Sequence, residues 1–150
     1  MVWEKMAKHK LKNYEAVTAS EESLRLEIMR LASEYTAIQS ARPFNDSFLK
    51  AANTRSREDK LLDNLAERAM LKNQLEQTHL WLEGMNNALS TLDAKEKDVI
   101  NELYIMGETG RLDRLCARYG CGASSIYRLR DKALKKLTIA LYGIDECELP

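Results

Sequence analysis

Proline is nearly absent: of 150 residues, only Pro43 interrupts the chain before the terminal Pro150. Valine is scarce too, three against 22 Leu and 16 Ala, a balance that suits straight-chain helix formers and excludes a β fold. The cysteines, Cys116, Cys121 and Cys147, are odd in number and sparse, so no disulfide framework is expected and a reducing compartment fits. No apolar run approaches the roughly 18 residues of a membrane span, and the segment MVWEKMAKHKLK is charged every few residues. The expectation is a soluble, unexported, cytoplasmic protein without membrane contact. Neither sign of charge is in excess: 23 Lys+Arg meet 23 Asp+Glu, so any attraction for an anionic partner has to be local.

What the chain does have is leucine at helical spacing. Leu, Ile, Val and Phe make 34 of the 150 residues, more than the roughly 20% below which disorder prevails. Leu24, Ile28, Leu31, Tyr35 and Ile38 fall on one narrow stripe, and Thr18 with Glu21 resembles a capping box. This spacing predicts a helix over 19–41, closed before Pro43. Residues 43–56 read as a polar connection anchored by Phe44, Phe48 and Leu49. Ser56 and Asp59 then open a second helix carrying Leu61, Leu65, Leu71, Leu75, Leu82, Met85, Leu89 and Leu92. Such a helix, roughly 50 Å long at 1.5 Å per residue, cannot bury its stripe on itself. Its cover is the 19–41 helix, residues 2–16 with Trp3, Met6 and Tyr14, or a second copy of the chain. An intramolecular hairpin or bundle and a homodimer held by 57–91 both remain open.

Beyond Leu92 the texture changes, because five of the six glycines lie from Gly107 onward. Asp93 and Glu96 form a capping box for a short helix with Val99, Ile100, Leu103 and Met106 inward, ended at Gly107. A second helix runs from near Thr109 to Gly120 with Leu112, Leu115 and Cys116 inward. A third runs from Ala123 or Ser124 to Gly143 with Ile126, Leu129, Ala133 and Leu137 inward. Three helices with a tight glycine turn before the third describe a helix-turn-helix. Cys116, Gly120 and Ile126 supply its small residue, its turn and its angle-filling apolar residue. From Arg111 to Leu137, eight basic residues face only Asp113 and Asp131, a local +6 suited to phosphate. The chain is therefore expected to be all-α. Its segments are a coiled-coil-like region 1–91, a helix-turn-helix domain 92–143 and an acidic tail 144–150.

The stretch LDAKEKDVINELYIMGETGRLDRLCARYGCGASSIYRLRDKALKKL resembles region 4 of bacterial sigma-70-type factors, which reads a promoter element. The likeness rests on the Leu-x-x-x-Glu opening, a mid-helix Tyr, the turn glycine and the closing Ala-Leu-Lys-Lys-Leu. It departs where Arg111-Leu112-Asp113-Arg114 replaces an acidic helix start and where Cys121-Gly122-Ala123 widens the turn. Nothing upstream resembles the promoter-melting module. The whole is similar in architecture to small phage and prophage regulators of the ArpU and RinA kind. That resemblance implies a transcription regulator whose partners are double-stranded DNA and RNA polymerase.

On a helical wheel the solvent arc of the third helix holds Ser124, Ser125, Arg128, Asp131, Lys132 and Lys135, with Tyr127 at its edge. Arg128 is the candidate for a bidentate guanine contact. Ser124 and Ser125 can each cap the helix or contact phosphate or base, capping being the first reading for Ser124. Arg111, Arg114 and Arg118, with Lys135 and Lys136, suit phosphates. No catalytic constellation, metal-ligand spacing or phosphate loop is found, so neither an enzyme nor a cofactor is expected. His9 and His79 are far apart, and Cys116 with Cys121 lacks zinc spacing. The readings that compete with a DNA-binding regulator are a polymerase- or protein-binding module and a small packaging (terminase) subunit.

Overall fold

The structure is a computed structural model that describes residues 2–41, 47–107 and 110–143, with only the backbone for 47–55. Among the described residues every regular element is a helix: α1 (Val2–Ser40), α2 (Ser47–Ser90), α3 (Ala94–Ile100), α4 (Arg111–Tyr119) and α5 (Ala123–Tyr142). A π-helical turn, Asn101–Ile105, extends α3. The chain packs as two compact units, one of Met1–Thr18 with Leu80–Pro150 and one of Ala19–His79. Phe44, the side chains of Phe48 and Leu49, the Thr109 helix start and the acidic tail 144–150 lie outside what is described.

Two expected boundaries are corrected. α1 begins at Val2 instead of 19, and Thr18 does not cap it: its hydroxyl donates to the Tyr14 carbonyl from within the helix. α2 begins at Ser47, so Ser56 lies inside a helix and the 43–56 connection is shorter than expected. No proline or glycine occurs from Val2 to Ser40. The residues turned away from solvent in α1, among them Ala7, Tyr14, Val17, Leu24, Leu31 and Ile38, step by threes and fours throughout.

In the Ala19–His79 unit, two antiparallel helix segments meet along a seam. Leu31 is buried, with Leu24, Ile28, Tyr35 and Ile38 half-buried, as the stripe predicts. On α2 the seam takes Leu61, Asn64, Arg68, Leu71 and Leu75, while Leu65, expected inside, is exposed. The seam steps by three and then four from Leu61, through Asn64, Arg68, Leu71 and Leu75, which takes Asn64 in place of Leu65. Buried Asn64 donates its Nδ2 to the Leu31 carbonyl at 2.8 Å, and the Arg68 guanidinium lies 4.9 Å from the Tyr35 ring centre. Arg57 donates to the Gln39 carbonyl, and His79 stands 3.9 Å from Glu21.

The other unit has two cores. Ala7 and Leu11 of α1 pack with Met85, Ala88, Leu92, Ile100, Ala133, Leu134 and Leu137. Residues 2–16 thus cover the C-terminal part of α2 within the same chain. Trp81 lies against this core, and the Trp3 ring meets Tyr142 at 5.0 Å. Tyr14 closes the edge by donating its hydroxyl to Asn86 Oδ1. The second core joins Val99, Leu115 and Ile126, ringed by Leu103, Leu112, Cys116, Tyr119, Cys121 and Leu129. Met106, expected inward, is exposed, because the π turn rotates it away from the α3 face. α5 serves both cores, which is why Leu134 and Thr138 are buried beside the expected Ala133 and Leu137.

Candidate nucleic-acid interface

Glycine geometry fixes the approach of α4 to α5. Gly120 ends α4 at φ +61°, the left-handed region where a side chain is strained, and its N–H donates to the Cys116 carbonyl. The Cys121 N–H reaches the same carbonyl at 3.2 Å. Gly122 is extended at ψ 168° and stands at the N-cap of α5, whose first residue is Ala123. No side chain caps this helix, so Ser124 is not the cap the sequence suggested. The chain has already turned at Gly122, which leaves Ser124 within the first helical turn. With Ile126 and Leu115 locked in the core, the opposite face of α5 is set.

That face carries Ser124, Ser125, Tyr127, Arg128, Asp131, Lys132 and Lys135, all exposed. Arg128 and Lys132 make no ion pair among the described residues, and both stand clear in solvent. Arg130 stacks 4.7 Å from the Tyr127 ring centre and donates to Asp131 at 2.8 and 2.9 Å. Although partial burial opposes its charge, the Asp131 contact holds the Arg130 guanidinium above its ordinary pKa.

The cations assigned to phosphates divide. Arg114 is exposed on α4. Arg111 is not: its side chain is only 10% exposed and its Nη1 donates to the equally buried Glu102 at 2.6 Å. A guanidinium so placed holds the π turn against α4 and is withdrawn from any external phosphate. Arg118 is half-exposed but engaged, with Nη1 on both oxygens of Asp98 at 2.6 and 2.7 Å and Nη2 3.6 Å from Glu102. Burial raises the Asp98 carboxyl, yet the Arg118 contact and the 2.5 Å hydrogen bond from the Tyr119 hydroxyl outweigh it and hold it below its ordinary range. Lys136 donates to Glu96 Oε1 at 2.7 Å, which keeps its ammonium above its ordinary pKa. Glu96 itself is fully buried and also completes the predicted capping box with Asp93.

Three of the eight cations in the +6 stretch are therefore balanced by acids of α3 and its π turn, upstream of the stretch. The sequence count missed them because Glu96, Asp98 and Glu102 lie 9 to 40 residues from their partners. Exposed basic side chains persist on α5 at Arg128, Lys132 and Lys135 and on α4 at Arg114. Among the described residues no group of three His, Cys, Asp or Glu could hold a metal, and no helix is long and apolar enough to cross a membrane. No protein-family model, curated protein or solved structure matches the chain.

Proposed function

We propose that the protein is a sequence-specific DNA-binding transcription regulator, of the phage or prophage late-gene type, in which α4 and α5 form a helix-turn-helix and α5 enters the major groove. One observation carries this reading: the first three turns of α5 present Ser124, Ser125, Tyr127, Arg128 and Lys132 on a single exposed face whose opposite side is locked by Ile126. In such an arrangement the N-terminal residues of the second helix reach base edges. Arg128 carries the guanine contact, Ser125 and Tyr127 flank it, and Arg114, Lys132 and Lys135 hold phosphates. Arg111 and Arg118 act from behind, by fixing α4 on α3. Half-buried seam residues, together with exposed Leu62, Leu65 and Met70, support a role for the 19–79 hairpin in pairing two copies or in touching RNA polymerase.

The test is selection of duplexes from a randomised pool by the purified full chain. A regulator of this kind enriches one motif, and Arg128→Ala erases the preference at one position of it. Failure to enrich any motif, with binding to RNA polymerase retained, would replace this reading with that of a protein-binding module. The charge neutralisation by α3 acids favours that alternative.

A further inference from the structure

The turn between α4 and α5 joins two cysteines by a main-chain hydrogen bond and sets both against one apolar cluster. The Cys121 N–H donates to the Cys116 carbonyl at 3.2 Å, and the Gly120 N–H donates to that same oxygen. Helix ends with such bonds frequently bring the side chains of the last-turn residue and of the second residue past the cap into contact. In most proteins the contact is between two apolar side chains; here both positions are cysteine. Both side chains pack against the Val99, Leu115 and Ile126 cluster, and both are only half-buried, so a small oxidant can reach them. A disulfide needs Cα atoms about 4.4–6.8 Å apart, within reach of two residues already joined by a main-chain hydrogen bond.

We infer that Cys116 and Cys121 form a dithiol/disulfide couple, a peroxide-oxidised modification site built into the α4–α5 turn. The oxidant is hydrogen peroxide or an alkyl hydroperoxide. One sulfur attacks a peroxide oxygen: an S–O bond forms, the O–O bond breaks, and the thiol proton leaves with the other oxygen, as water from hydrogen peroxide or as the alcohol from an alkyl hydroperoxide. The second sulfur then attacks the sulfenic sulfur. An S–S bond forms as the S–O bond breaks, and the hydroxyl departs with the second thiol proton as another water. Two thiols lose two electrons, and one hydrogen peroxide becomes two waters. A low-molecular-weight thiol reverses the step by exchange. The inference does not depend on DNA binding.

Arg118 lies between the two cysteines, so trypsin cleaves the chain there and only a disulfide holds the resulting fragments together. The full-length Cys147→Ser variant, reduced and then treated with hydrogen peroxide, should go from two titratable thiols to none. It should stay at its native mass as a single chain less two hydrogen atoms. It should also yield one tryptic species in which the Cys116 and Cys121 fragments are joined until dithiothreitol parts them. Cys121→Ser in the same background should stop at a sulfenic acid that dimedone traps at Cys116. Retention of both thiols after peroxide, or a disulfide found only between chains, would overturn the assignment. Because wild-type peptide mapping reads the same cross-link, the result stands even if the Cys121 variant fails to fold. There, a disulfide joining Cys147 to either residue in place of the 116–121 link would also overturn it.

Discussion

Arg111→Ala separates a structural cation from a DNA contact. In the structure its guanidinium meets Glu102 at 2.6 Å with both side chains 10% exposed, so truncation leaves a carboxylate buried without its main partner. Orphaning a buried charge in this way costs about 3–5 kcal/mol. Arg118, already 3.6 Å from the other Glu102 oxygen, can swing toward it and offset part of that, so about 2–3 kcal/mol is expected. At roughly 3 °C per kcal/mol for a chain of this size, the melting temperature drops by about 6–9 °C. Arg114→Ala, one turn on and exposed, should stay within about 0.5 kcal/mol. Urea unfolding followed by circular dichroism at both variants reads the difference. Replacing the pair together, with Glu102→Leu and Arg111→Met, should recover most of the loss, since neither charge is then left alone. An Arg111→Ala midpoint equal to that of wild type would refute the buried pair and return Arg111 to the surface.

Acid should destabilise the α3–α4 contact. The Asp98 carboxyl is held below its unfolded value, so its stabilisation is full above the ordinary Asp range near pH 4 and is lost as pH falls through the lower folded value. Asp98→Asn should flatten the stability profile below about pH 4 in urea titrations at stepped pH. Gly120→Ala puts a side chain at φ +61° and should cost about 1–2 kcal/mol, with no clash to relieve, as read by thermal melting. If the hairpin pairs two copies, light scattering gives twice the 17.2 kDa chain mass, and Leu65→Glu reduces it to one chain without loss of helicity. A single-chain mass before mutation would remove the dimer and leave the hairpin free for another partner.

The helical class and the C-terminal elements were readable because each end carries its own local signal. Asp93 and Glu96 close a capping box, and Gly107, Gly120 and Gly143 stop their helices at positive φ. Ile126 and Leu115 were readable as core by spacing alone. Thr18 misled because a hydroxyl that can cap a helix can also back-bond to its own fourth predecessor, and nothing nearby in the sequence distinguishes the two. Leu65 misled because apolar letters were followed where the three-four alternation pointed to Asn64. The exposed face of α5 was legible from its periodicity. The burial of Arg111 and the engagement of Arg118 and Lys136 were not, since those depend on acids brought in by the packing of α3 on α4 and α5.

The most direct test of the DNA reading is the salt dependence of full-chain binding to its selected duplex, with and without Arg128. Three exposed cations placed on phosphates, Arg114, Lys132 and Lys135, each contribute about −0.9 to the slope of log K against log salt, so a slope of about −3 is predicted. Arg128→Ala should weaken the selected duplex by about 5- to 150-fold, as a lost bidentate base contact does, and random duplex far less. A slope near zero, or an Arg128→Ala protein that binds both duplexes as wild type does, would contradict the placement of α5 in the groove.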